Sequence, residues 1–355
     1  MDQGLQWAGL DTSTREFAVC VVDRAGKVVR EARLPADIAA ADEFLGGKAS
    51  GIVSVALETG TTSIHPARAL RELGYDVSLF HALSVHRFVR MKLNKTDAND
   101  ARGLAEIARA GGGQVQKVYL KPVELSVLRT KLVMRERLLQ MRKVNETAMM
   151  SLFHAFGVRA NGTVSSQKSL RRIVGEMIAA VESRYDIPIR TLAKPLLDLS
   201  ISLRRDELRI EKDLKNYVIK SDVGRRLMEI PGVGVITAVS FITAIGDPAR
   251  FSRSDDVGAY FGLTPRVWKT GAYSRKRGIS KIGNALTRRH LHMAARAALN
   301  TRTENSLQIW GRVVAARSNR KTAIVAMARK LAVLMFTIWK NGSKYEPERS
   351  LPRRI

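Results

Sequence analysis

Cysteine is all but missing from this chain of 355 residues: Cys20 stands alone, which excludes an internal disulfide framework. It sits in the apolar run Phe17-Ala18-Val19-Cys20-Val21-Val22 and reads as a core thiol in a strand. Histidine is sparse too, with six residues scattered along the sequence. The closest pair, His290 and His292, would face different ways on a helix, so no zinc site is expected. No apolar run approaches the length of a bilayer span and no signal peptide opens the chain, which leads us to expect a cytoplasmic, nucleoid-associated protein. Acid is short in one part only. Residues 1–110 hold 14 Lys/Arg and 14 Asp/Glu, so the remaining residues, with 46 basic and 19 acidic, carry the whole net charge of +27. A neutral part joined to a strongly basic one points to a polyanion, most simply nucleic acid, ahead of a membrane surface. The length and the 45% hydrophobic content allow two or three domains with real cores.

The neutral part alternates strand and helix signals. Residues 5–11, 16–23 and 27–34 read as strands, with Asp23-Arg24-Ala25-Gly26 as a hairpin turn. A helix over Ile38–Leu45 follows, then a strand over 52–57, a helix over His65–Leu73 closed by Gly74, and a strand over Val77–Phe80. This is an α/β pattern. Two of the apolar runs end in an acid followed by small residues, Asp11 after Leu5–Leu10 and Glu58 after Ile52–Leu57. Acids at the C-terminal ends of strands sit where α/β sheets place their sites. Asp97 and Asp100 are three apart at the start of a helical stretch carrying Leu104, Ile107 and Ala108 on one face. Taken alone, the pair reads as a cap and a first-turn acid favoured by the helix dipole. Together, four carboxylates from two strands and one helix can hold two hard divalent cations, and two metals about 4 Å apart can stabilise both oxygens of a phosphodiester displacement.

The basic part opens with a helical stretch from Glu124 to about Phe156 that lacks Gly and Pro. Leu138, Met141, Asn145, Ala148 and Leu152 suggest a coiled-coil or bundle stripe. A second helical segment, Leu192–Tyr217, carries Leu192, Leu196, Leu199, Leu203, Ile210 and Leu214, and a polar segment around 157–168 separates the two. Ile230-Pro231-Gly232-Val233-Gly234 then opens an apolar helix, Val235–Ile245. Its Pro-Gly-Val-Gly is either a tight turn or the hairpin of a helix-hairpin-helix element, where turn N–H groups meet phosphate. From Arg266 to Arg289 there are eight basic residues and no acid: Arg266, Lys269, Arg275, Lys276, Arg277, Lys281, Arg288 and Arg289. Trp268 and Tyr273 lie among them as stacking faces, and a solvated helix face would mix charge signs, so a nucleic-acid surface is the better reading. Residues 307–340 read as basic amphipathic helices and 345–355 as a flexible tail.

The carboxylate set resembles the DEDD set of RuvC-like nucleases. The wording around it is closer to one family: Leu10-Asp11-Thr12-Ser13, Leu57-Glu58-Thr59-Gly60-Thr61 and Asn94-Lys95-Thr96-Asp97-Ala98-Asn99-Asp100-Ala101-Arg102 resemble the successive motifs of the transposases of insertion-sequence family one-ten and its eleven-eleven subgroup, known as bridge-RNA or seek-RNA guided recombinases. Gly262-Leu263-Thr264-Pro265-Arg266, Thr270-Gly271, Gly278–Asn284 and Arg288-Arg289 resemble its C-terminal domain. The resemblance implies a RuvC-like, RNase H-like domain over 1–112 holding two Mg²⁺ through Asp11, Glu58, Asp97 and Asp100, a helical coiled-coil connector for dimerisation over 113–220, and a mainly α-helical transposase domain over 221–345. It implies donor and target DNA, a noncoding guide RNA and a homo-oligomer, dimer or tetramer, as partners. It also implies a composite site, with metals from one protomer and a hydroxyl nucleophile from another. The family's nucleophile is a serine followed by glycine; this chain has Thr270-Gly271. Threonine keeps the hydroxyl but adds a methyl that restricts χ1, leaving three outcomes: a working threonine, a disabled nucleophile, or the role passed to Ser274. Two rival readings stand beside this one, a metal-dependent nuclease on branched DNA using water, and a nucleic-acid-binding protein with a vestigial RNase H-like domain.

Overall fold

The computed structural model describes residues 4–47, 50–89, 97–113, 115–270, 273–301 and 304–347; within its elements the side chains of 89, 97–98, 267–270 and 273–277 are outside the description. The chain forms two compact units, residues 1–121 and 122–355.

The first unit is a sheet covered on both faces. Its elements are β1 (Gln6–Thr12), β2 (Glu16–Val22), β3 (Val28–Pro35), α1 (Ile38–Leu45), β4 (Ile52–Glu58), α2 (Ile64–Glu72), β5 (Val77–Phe80), α3 (Ala82–Val89), α4 (Asp97–Arg109) and β6 (Lys117–Val118). The strand order is β3-β2-β1-β4-β5-β6. β1 runs antiparallel to β2 and parallel to β4, which is parallel to β5; the two-residue β6 adds an antiparallel edge. This mixed sheet agrees with the RNase H-like class expected from the sequence. β2 shows why the run 17–22 is apolar throughout. Phe17, Val19 and Val21 pack with Ala41, Leu45, Ala67 and Leu70 of α1 and α2, while Ala18, Cys20 and Val22 pack with Ala101 and Ala105 of α4. A strand buried on both faces needs apolar residues at both parities. β3 lies at the edge and alternates exposed and half-buried positions. Its Arg30 reaches α1, where Nε and Nη2 donate to the carbonyls of Phe44 and Leu45. A cation there meets the helix's negative end, just before the left-handed Gly46 (φ 85°).

The second unit contains α5 (Val123–His154), α6 (Gln167–Tyr185), α7 (Arg190–Lys220), α8 (Asp222–Met228), α9 (Val235–Ile245), α10 (Asp256–Tyr260), the hairpin β7–β8 (Pro265–Thr270, Tyr273–Ile279), α11 (Ala285–Leu299), α12 (Ser306–Arg317) and α13 (Arg320–Asn341). The long helices α5 and α7 pair within the chain. The stripe expected from the sequence forms only part of their seam: Leu203 and Leu214 are buried and Asn145 bonds Ser200 across it, but Met141 (55%), Leu192 (60%) and Leu199 (46%) are exposed. Leu128, Leu132, Met149 and Phe153 face inward instead, and between them the seam is ionic. Glu207, 3% exposed, accepts from Arg142 Nε at 3.1 Å and lies 3.4 Å from Arg135 Nη2. Arg135 also reaches Glu211 at 2.6 Å and Arg142 reaches Glu146 at 3.0 Å. Carboxylates on both sides of each guanidinium compensate its desolvation, which lets arginine occupy positions the apolar pattern assigns to leucine. α6 follows the polar segment and was not anticipated. Ser166 caps it and shares a reciprocal capping box with Ser169, and Ile173, Met177 and Val181 pack against Met149 and Phe153 of α5.

α9, α11 and α13 form the second unit's main core. α13 has the length and apolar character to cross a bilayer, contrary to the expectation that no segment does. Its Ala323, Met327, Leu331, Met335 and Phe336 are fully buried in this core, so it is a core helix. α9 is buried from Thr237 to Ile245, and Ser240 bonds Thr287 of α11 at 3.0 Å, so small hydroxyls bring the two helices together.

Candidate catalytic carboxylates and nucleic-acid interface

The sheet places two of the four carboxylates side by side. Leu10 of β1 is opposite Leu57 of β4 in a parallel ladder, so Asp11 and Glu58 are neighbours at the C-terminal ends of adjacent strands. Both are half-buried. The loops beyond them are tied together: Thr62 Oγ1 donates to the Thr12 carbonyl at 2.9 Å, Ser63 Oγ accepts from Gly60 N at 2.7 Å, and Thr59 N donates to the Phe80 carbonyl at 2.8 Å. Thr62 and Ser63 hold this rim and escaped the sequence reading, in which they were only small turn residues.

The third element, α4, is brought in by a glycine. A Cβ at Gly9 would stand 2.1 Å from the Ala101 carbonyl oxygen and 2.3 Å from the Ala105 nitrogen, so helix backbone lies directly on strand backbone. The helix direction follows from two contacts. Its C-terminal residues Glu106 and Arg109 meet the β2–β3 turn, where Arg109 Nη1 donates to the Arg24 carbonyl at 3.2 Å. That turn is at the N-terminal end of β1, since Trp7 pairs with Val22. α4 therefore runs antiparallel to β1, and its first turn, with Asp97 and Asp100, reaches the end that carries Asp11 and Glu58. Arg102 of α4 pairs with Glu31 of β3 at the surface, with Nε donating to Glu31 Oε2 at 2.6 Å; this bond holds the Glu31 carboxyl below its usual pKa.

Among the described residues no three His, Cys, Asp or Glu side chains stand together as a ready metal site; the Asp97 side chain lies outside them. The donor set fits a hard divalent cation in kind, because all four groups are carboxylates and the three elements that carry them meet at one end of the sheet.

In the second unit the basic segment forms the hairpin β7–β8, which the mainly helical expectation did not include. Thr270 closes β7 opposite Tyr273, and Ser274 is opposite Lys269. Gly271 lies outside the described residues, as do the side chains of Trp268, Lys269, Thr270, Ser274, Arg275, Lys276 and Arg277. Arg266 is exposed, with Nη2 donating to the Ser280 carbonyl, and Lys281 is exposed with a left-handed φ of 57°. Arg288 donates to the Phe261 carbonyl at 3.0 Å. Arg289 pairs with Glu136 of α5. Glu136 also meets the buried His290 at 3.2 Å and Arg135 at 2.7 Å; the His290 and Arg135 hydrogen bonds and the Arg289 charge pull its carboxyl down to about 2. Gly232 (φ 85°) turns the α8–α9 connection against α11, where a Cβ would stand 2.3 Å from the Ala294 carbonyl. Gly234 begins α9 with open space around it.

Comparison with known proteins falls on both units. A family model for transposases of the DEDD, IS110 type matches residues 8–155, and the model described as the transposase IS116/IS110/IS902 family matches residues 224–309. The chain is 28% identical over 344 residues to the transposase for insertion sequence element IS1111A of Coxiella burnetii, covering 95% of this chain and 90% of that protein. It is 28% identical over 296 residues to the transposase for IS1328 of Yersinia enterocolitica, covering 82% and 85%. It is 27% identical over 341 residues to a probable family 20 transposase of Pseudomonas aeruginosa, covering 96% and 98%. With a mixed sheet that carries acids at its strand ends, these matches define a transposase of the DEDD type. The chain belongs to the IS110/IS1111 family of insertion-sequence transposases.

Proposed function

We propose that the protein cleaves and rejoins DNA strands in transposition of its insertion sequence, with Asp11, Glu58, Asp97 and Asp100 holding two Mg²⁺ and a hydroxyl side chain attacking phosphorus. One observation carries the reading: the antiparallel seating of α4 on Gly9 brings the Asp97/Asp100 turn to the strand ends bearing Asp11 and Glu58. Bound there, Mg²⁺ would supply charge stabilisation for a phosphodiester displacement. The chain's own residues do the rest. The four carboxylates orient the cations, and Thr270 offers its oxygen to phosphorus while the displaced DNA oxygen departs. The hairpin cations Arg266, Lys269 and Arg275 stabilise the charge that grows on the phosphate. The test is a denaturing gel of protein with Mg²⁺, guide RNA and labelled DNA. Asp11→Asn abolishes cleavage, Thr270→Ala removes the covalent protein–DNA adduct and Thr270→Ser preserves or raises it. An adduct lost only in Ser274→Ala moves the nucleophile to Ser274.

A noncoding RNA and a second copy of the chain complete the proposal. The cationic surplus of residues 111–355 suits two nucleic acids at once. α5 supports self-association through the face it turns away from α7. Val127, Thr130, Met134, Arg137, Met141, Val144, Ala148 and Ser151 follow heptad spacing and are all exposed, Met141 at 55% and Val144 at 61%. A second reading, metal-activated water in place of the side-chain hydroxyl, is favoured by threonine standing where the family has serine. Cleavage without an adduct in every variant, Thr270→Ser included, would establish it.

A further inference from the structure

A large apolar side chain standing singly at a surface is ordinary; Ile282 is unusual in how it is held. It lies in the turn between β8 and α11, and at 66% it is the most exposed large apolar side chain among the described residues. Ile279 and Leu286 on either side of it pack on the core, and Ile282 does not. Its main chain is pinned to the turn after α10. Ser280 N donates to the Thr264 carbonyl at 2.8 Å and Lys281 N to the Gly262 carbonyl at 3.1 Å. A Cβ at Gly262 would stand 2.2 Å from the Ile282 carbonyl oxygen, and one at Gly283 would stand 2.1 Å from the Tyr260 carbonyl oxygen, so backbone rests on backbone here. Lys281, just before, is held at a left-handed φ of 57°, which residues with a Cβ rarely adopt. The tip is rigid, and a β-branched side chain is itself stiff at χ1.

Three cations flank this tip. Arg266 is anchored at the Ser280 carbonyl, Arg288 at the Phe261 carbonyl, and the exposed Lys281 precedes Ile282. Among the described residues none of the three pairs with a carboxylate, and the sequence has no acid between Asp256 and Glu304. A second copy of this face would bring the same cations against it, so charge disfavours a contact between copies. A nucleic acid complements both features, with anionic phosphates outside and apolar base faces between them. An aliphatic side chain has no π-face on which an unpaired base could stack, whereas aliphatic side chains do insert between the base pairs of a duplex. Insertion demands rigidity, because stacked bases resist separation and a yielding loop would fold back.

We propose that Ile282 is a wedge that enters one base-pair step of duplex DNA, with Arg266, Lys281 and Arg288 meeting the phosphates around it, so that the duplex is kinked where the protein holds it. This rests on the nucleic-acid reading above. Ile282 is a positioning residue: it sets the path of the duplex and takes no part in the attack on phosphorus.

The test uses the full chain, a short DNA duplex rich in the easily kinked TA step with a fluorophore at each end, and an RNA strand of the same sequence. Wild-type protein at saturation is expected to bring the duplex ends together, read as energy transfer. Ile282→Ala is expected to leave them apart and to bind the duplex about tenfold more weakly. Its log-affinity against log-salt slope should equal that of the wild type, because apolar contact is lost and no phosphate contact is. Ile282→Leu, which keeps an apolar tip, should keep the bend. The Ile282→Ala protein should melt with the wild type; a residue with only a structural role would lower the midpoint and leave the bend alone. An Ile282→Ala variant that bends the saturated duplex as the wild type does, or a wild type that binds it without bending, overturns the wedge. Weakening on RNA alone gives Ile282 to the RNA, and altered sedimentation with the bend intact gives it to a protein contact; each overturns the proposal. Wild-type protein that binds neither probe at low salt overturns the nucleic-acid reading itself, and this inference with it.

Discussion

The two units treat their charges in opposite ways. In the first, residues 1–110 hold equal numbers of acids and bases, and the elements that carry Asp11, Glu58, Asp97 and Asp100 meet at one end of the sheet. In the second, acids are scarce and several of them are drawn inside: Glu136, Glu207 and Glu211 neutralise arginines at helix seams. These buried pairs cancel, so the net positive charge of this part rests on the arginines and lysines left at its surface. Under the proposed function, such a division would gather negative charge where Mg²⁺ is held while the basic part attracts a polyanion.

The sharpest break of this contrast is in the first unit. Asp11→Asn or Asp100→Asn should reduce strand cleavage to background while leaving nucleic-acid affinity near wild type, since the affinity resides in the basic part; a gel-shift assay beside the cleavage assay reads both. Next in size is the α4 seat. Gly9→Ala pushes a methyl into the helix backbone and should lower the stability of the first unit by about 3 kcal/mol, seen as an early denaturation transition; Gly9→Val should prevent that unit from folding.

Charges inside the second unit come third. Glu207→Gln takes one carboxylate from Arg135 and from Arg142, which keep Glu211 and Glu146, and should cost about 2 kcal/mol, read from the denaturant midpoint. Glu136 adds a pH test. Its folded pKa of about 2 lies below the ordinary value of 4.5, so its contribution is complete above 4.5 and is lost as pH falls toward 2. The stability gap between wild type and Glu136→Gln should be constant near neutrality and shrink through that acid window. The smallest effect is on the surface: Lys281→Ala should make the salt slope of DNA binding shallower by about one without changing stability. An unaltered slope would mean the exposed hairpin base is not part of the footprint.

The sheet was legible because its strands are buried on both faces, which leaves unbroken apolar runs whose ends coincide with Asp11 and Glu58. The seating of α4 was half legible: sequence showed the apolar face of Leu104 and Ile107 but not that Gly9 would receive the helix backbone. In α5 the periodicity was half informative: Asn145 meets α7, but two faces carry apolar residues and the inward one also carries Arg135 and Arg142. Choosing between them requires knowing that Glu207 and Glu211 come from α7, information that no single-helix pattern contains. α6 was lost behind a polar approach, and β7–β8 because its strands are written largely in arginine and lysine, whose excess signals an interface more loudly than a ladder. The metal carboxylates and Thr270 were singled out by position in the sequence alone, and their roles belong to the proposal.

The contact at Gly9 sets a gauge as well as a fit. Where helices rest on sheets through side chains, a leucine exchanged for a valine moves the helix by a fraction of an ångström, and the separation can be tuned in small steps. Between β1 and α4 at this level there is no such spacer to trim or enlarge. The closest approach of the Asp97/Asp100 turn to the strand ends is thereby machined into the main chain, and the only adjustment open at position 9 is a jump of a whole carbon atom.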